Sequence, residues 1–68
     1  MTINEFINKS ISCFEKLTAE ATENMHKAAL DGDTNVHTFY RGECMAYATA
    51  IGYLKFQKQL LEVPDENL

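Results

Sequence analysis

Asp31, Asp33 and Asn35, within "LDGDTNVHTFYRGE" at residues 30–43, stand at the spacing with which a calcium-binding loop begins. Counted from Asp31, the sixth position calls for a glycine at a sharp turn, yet Val36 stands there. A β-branched residue resists that backbone geometry. The twelfth position calls for a bidentate glutamate but is Gly42, with Glu43 one residue late. The acidic start is therefore expected to be a helix stop and restart around Gly32, without calcium. Zinc would have to draw on His26, His37, Cys13 and Cys44. His37 and Cys44 share a helix face but lie roughly 10 Å apart along it, too far to meet on one ion. His26 and His37 flank the corner, yet two imidazoles lack the further ligands a zinc site needs. Both are expected to be solvated histidines at helix ends, and no metal or cofactor is expected.

Other chemistry is equally thin. No serine–histidine–acid order at usable spacing, no glycine-rich phosphate loop and no paired carboxylates stand out. Two thin helices are expected to offer no pocket of small-molecule size, so an enzyme is not expected. Asn8-Lys9-Ser10 matches a glycosylation sequon but falls within a helical pattern. Glu43 is the polar residue that asks for a reason, because it falls inside an apolar stripe between Tyr40 and Tyr47. A buried carboxylate needs a partner or rises in pKa. Candidate partners are the Tyr40 and Tyr47 hydroxyls, Arg41, and Thr18 and Thr22 of a facing helix. Glu43 is thus either a specificity-setting or ligand-binding contact, or a glutamate at the mouth of a bundle whose head reaches water.

The elements that must carry these residues follow from periodicity. Thr2-Ile-Asn-Glu5 has the form of a capping box, with Thr2 accepting from the Glu5 amide and the Glu5 carboxylate returning to the Thr2 amide. Apolar residues then recur at Ile3, Phe6/Ile7, Phe14, Leu17, Ala21, Met25 and Ala28, with Ile11 and Cys13 at the edges of the arc. Glu5–Lys9 and Glu23–Lys27 are i,i+4 pairs on the opposite side. This predicts one long helix over about residues 3–30. Gly32 suits a left-handed helix stop, and Asp33 or Thr34 can cap a second helix over about 34–62. Its stripe runs Val36, Tyr40, Tyr47, Ala50/Ile51, Leu54 and Leu61. Pro64 ends the pattern, leaving one domain over 1–63 and a short acidic tail at 64–68. The fold class expected is all-α: a two-helix antiparallel hairpin.

The second helix carries more apolar surface than a hairpin can use. A second row runs Met45, Thr49, Gly52, Phe56, Leu60 and Val63, on the side opposite the first stripe, with Tyr53 beside it. A ridge of small residues, Gly42, Ala46 and Ala50, lies between the rows and permits close helix approach, by analogy with small-residue motifs in membranes. At 68 residues the chain buries only about 60% of its unfolded surface and is marginal alone. The expected solution is a homodimer forming a four-helix bundle. Gly42, Met45, Ala46, Thr49, Gly52, Tyr53, Phe56, Leu60 and Val63 are its candidate interface, and Tyr40, Glu43 and Tyr47 a candidate buried polar or ligand contact. Cys13 and Cys44 both sit in helical patterns, where free apolar thiols are the expected state.

Charge narrows the partner classes. The net charge of −4 argues against direct nucleic-acid binding. No basic, apolar leader opens the chain and no apolar run could cross a membrane, so a cytoplasmic protein is expected. The stretch "ALDGDTNVHTFYRGECMAYATAIGYLKF", a Gly-Asp corner followed by an aromatic-Arg-Gly helix start, resembles small bacteriophage and prophage accessory proteins. The resemblance implies a small, cytosolic, often oligomeric protein, of a class in which some members bind and inhibit host or defence proteins. It carries over no functional residue. Three functions are in view. The first is a non-enzymatic protein–protein interaction module acting as a homodimer, such as an inhibitor or modulator of a host protein. The second is a small-molecule-sequestering protein with a pocket between subunits. The third is an acidic nucleic-acid mimic.

Overall fold

The computed structural model describes residues 1–62 as two antiparallel helices, α1 (Ile3–Leu30) and α2 (Thr34–Glu62). Val63 and the tail, which sequence analysis assigns to the interface and to a terminus, lie outside the described residues. α1 begins where the Thr2 hydroxyl accepts from the Glu5 amide at 3.1 Å. Only this half of the capping box forms, for no bond returns from the Glu5 carboxylate among the described residues.

The corner is tightly bonded. Asp33 N–H reaches back to the Ala28 carbonyl at 2.9 Å and Gly32 N–H to that of Ala29 at 3.2 Å. Gly32 carries φ +72, so the pair is a Schellman stop that only glycine enters without strain. Asp33 also starts α2, its side chain accepting from the Val36 amide at 3.1 Å. Between Asp33 and Thr34 as helix caps, Asp33 takes the role. One residue thus closes one helix with its amide and opens the next with its carboxylate.

The helices meet along a narrow seam. On α1 the part-buried and buried line is Ile7, Ile11, Phe14, Thr18, Ala21, Met25 and Ala28; on α2 it is His37, Tyr40, Cys44, Tyr47, Ile51, Leu54 and Lys58. Both alternate steps of four and three, the spacing of a coiled-coil seam. Ser10, Leu17, Thr22 and Asn24 of α1 and Glu43, Ala50 and Gln57 of α2 are part-buried beside these lines. The pattern of burial corrects several sequence expectations. Phe6 and Ile3, placed on the α1 arc, are exposed at 61% and 67%, whereas Ile11, placed at its edge, is buried at 8%. Val36 and Leu61, placed in the α2 stripe, are exposed as well.

Only Ile7, Ile11, Ala21 and Ala28 are buried among the described residues, and no side chain is shielded completely. Full burial of an isoleucine contributes about 1.5–3 kcal/mol, so two isoleucines and two alanines make a slight core for a chain of this length. The thinnest dimension of the molecule is 11 Å, the width of one helix.

The corner carries a direct test. Gly32→Ala forces a side chain into the left-handed region at a cost of about 1–2 kcal/mol, and Asp33→Ala removes a cap worth about 1 kcal/mol. Both should lower the melting midpoint followed by circular dichroism at fixed protein concentration. Asp31→Ala, and added calcium, should leave it in place; a calcium-dependent rise would show that the corner is a metal loop after all.

Candidate interaction surface

The hairpin has two narrow edges and two broad faces, and they differ in chemistry. The outer edge of α1 is charged, with Glu5, Lys9, Lys16, Glu20, Glu23 and Lys27 all exposed. Glu23 and Lys27 pair at 3.4 Å; the expected Glu5–Lys9 pair is not within bonding distance. Exposed i,i+4 pairs of this kind add only a few tenths of a kcal/mol, so this edge reads as solvated surface.

One broad face holds an open groove of about 570 Å³ lined by Asn8, Ile11, Ser12 and Glu15 of α1 and Lys55, Lys58 and Gln59 of α2. A smaller one, about 200 Å³, sits at the corner beside His37. No pocket of small-molecule size was expected from the sequence; the larger groove has such a volume, but both lie open. Apart from Ile11, every residue of the larger is polar, with cations and a carboxylate together. Nothing in it selects one ligand charge.

The outer edge of α2 is the opposite of that of α1. Gly42, Met45, Ala46, Thr49, Gly52, Tyr53, Phe56 and Leu60 are all exposed, and all lie on the side of α2 away from α1. Thr38 continues the row toward the corner, a member that the sequence reading omits although it lies one helical turn before Gly42. From Thr38 to Leu60 this edge carries no charge, because Arg41, Glu43, Lys55 and Lys58 all fall on the flanks or toward α1. Met45, Tyr53 and Phe56 are exposed at 63%, 64% and 53%. Contiguous exposed apolar side chains are a common feature of interaction surfaces.

Two glycines stand out on that edge. Neither Gly42 nor Gly52 adopts a positive φ, and a Cβ built on either meets nothing within 4 Å. Glycine inside a helix costs about 1 kcal/mol relative to alanine. Within the hairpin, neither backbone geometry nor packing explains that cost.

Tyr40, Glu43 and Tyr47, the candidate polar or ligand contact, flank one another along the seam side of α2. All three are part-buried, and no polar side chain is buried among the described residues. Tyr47 packs its ring against Phe14 across the seam, with centroids 6.0 Å apart, and Tyr40 sits edge-on to the exposed Phe39 at 5.2 Å. Thr18 and Thr22, proposed partners of Glu43, instead donate to the Phe14 and Thr18 carbonyls at 2.7 and 2.8 Å. Thr22 also touches Cys44 at 3.5 Å. Cys13 lies exposed and Cys44 half-buried, both free, and the Thr22 contact places Cys44 about nine residues of helix, roughly 13 Å, from Cys13. Among the described residues no three of His, Cys, Asp and Glu gather as a metal site, and no helix is long and apolar enough to cross a membrane.

The aromatic contact at mid-seam should therefore matter for stability, and its exposed neighbour should not. Phe14→Ala is expected to destabilise the fold by about 2–3 kcal/mol, below the full-burial figure because the ring is part-exposed. Phe39→Ala should change it by less than about 1 kcal/mol. Urea titration of both variants checks the pair. No protein-family model, curated protein or solved structure matches this chain.

Proposed function

We propose that this chain is a non-enzymatic protein–protein interaction module that acts as a homodimer through the outer edge of α2. The carrying observation is the uncharged, exposed row from Gly42 to Leu60, on a chain with four buried residues among those described. Association supplies the apolar burial that a one-helix-thick hairpin lacks. The likeness to phage accessory hairpins extends the proposal to a second partner, a host or defence protein taken up by the dimer. Because the row lies across α2 from α1, joining two copies through it orders the four helices α1–α2–α2–α1. That arrangement is more open than the closed four-helix bundle expected from sequence.

Sedimentation velocity and light scattering at micromolar concentration should show a dimer. Phe56→Glu places a carboxylate in the contact and should raise the dissociation constant at least tenfold. Lys9→Glu, on the far edge, should leave it unchanged. A wild-type monomer whose melting temperature is independent of concentration overturns the proposal.

A further inference from the structure

Resting on that reading, we infer that the two copies pair through antiparallel α2 helices about a two-fold axis at Thr49. The two ends of the row differ in size. Small residues, Thr38 and Gly42, occupy the end nearer the corner, and large ones, Phe56 and Leu60, the other. The ends are placed symmetrically: Gly42 and Phe56 each lie seven residues from Thr49, and Thr38 and Leu60 each lie eleven, with Met45 and Tyr53 each four away. Seven residues is close to two helical turns, so Gly42, Thr49 and Phe56 share one side of α2.

Antiparallel pairing about Thr49 sets the Phe56 ring of one copy over Gly42 of the other, and Leu60 over Thr38. Each contact occurs twice, as an isologous interface requires. Parallel pairing would instead oppose Phe56 to Phe56, holding one end apart, and Gly42 to Gly42, leaving a void at the other. The open space above Gly42 is then a notch for a ring, and Gly52 lets the two backbones approach near the axis. This gives both helix-interior glycines a reason that the hairpin alone does not supply.

A second copy fits this edge on two further counts. Met45, Tyr53, Phe56 and Leu60 keep 63%, 64%, 53% and 48% of their surface exposed, large apolar side chains of the kind from which an interface of ~800 Å² per partner is built. From Thr38 to Leu60 the row itself carries no charged residue, so no like charges are set against each other along it.

The test combines sedimentation with cysteine cross-linking of the full chain, in a Cys13→Ser, Cys44→Ser background checked for helicity. Thr49→Cys should form an interchain disulfide by itself. Gly42→Cys and Phe56→Cys should cross-link to each other when mixed, and neither to itself. Gly52→Ala should raise the melting temperature in dilute solution, where the chain is monomeric, yet weaken the dimer at least tenfold. A dimer with Gly42–Gly42 and Phe56–Phe56 cross-links overturns the antiparallel pairing while leaving the homodimer standing. A dimer indifferent to Gly52→Ala, with no cross-link at residue 49, places the contact on another face. A monomer with no cross-links removes both the pairing and the homodimer.

Discussion

Each helix of this chain has a single neighbour, and that constraint shapes everything else. Against one neighbour, a helix can shield only about two residues in seven. The seam from Ile7 to Ala28 and from His37 to Lys58 follows that arithmetic, with aromatic contact at Phe14 and Tyr47 near its middle. Apolar residues off the seam have no cover within the chain. Phe6, Phe39, Phe56 and Leu61 are exposed because a second layer is missing, although each is as hydrophobic as its buried counterparts.

The two outer edges meet this constraint differently. α1 fills its edge with lysine and glutamate, which water solvates well, so its amphipathic character is complete with α2 as its only neighbour. α2 keeps its edge free of charge and places two glycines there, giving up helix stability for a smooth surface. An asymmetry of this kind between two helices of nearly equal length is hard to assign to folding, since α1 shows that the fold is satisfied by a charged edge. It is the asymmetry on which the proposed association rests.

Much of the fold was legible because its signals are local. Thr2 as a cap, Gly32 as a stop and Asp33 as a restart each depend on chemistry within a few residues, and all three operate in the structure. The outward row on α2 was legible for the same reason, since periodicity alone separates it from the seam. The width of the core was not. A wheel of apolar residues shows which arc is hydrophobic but not how much of it a neighbour covers, so Phe6 and Ile11 exchange places relative to expectation. Glu43 stayed between two readings for a related reason. It is part-buried beside the seam residues Tyr40 and Tyr47, and how far a neighbour covers such a position is not written in one helix's periodicity. The two open grooves, formed by side chains from both helices, had no signature along either one.

The corner has a consequence for the order of events in time. Asp31, Gly32 and Asp33 leave no slack between the helices, so Ala28 and His37, nine residues apart, line one groove at the corner. Contacts along the seam then grow in sequence separation step by step away from the turn. Each closes a loop already shortened by the one before it, as in other topologies of low contact order. Closure of the seam is thus a matter within one molecule, in which the shortest loops lie nearest Gly32. In the proposed homodimer, covering the α2 edge is a separate step whose rate depends on abundance.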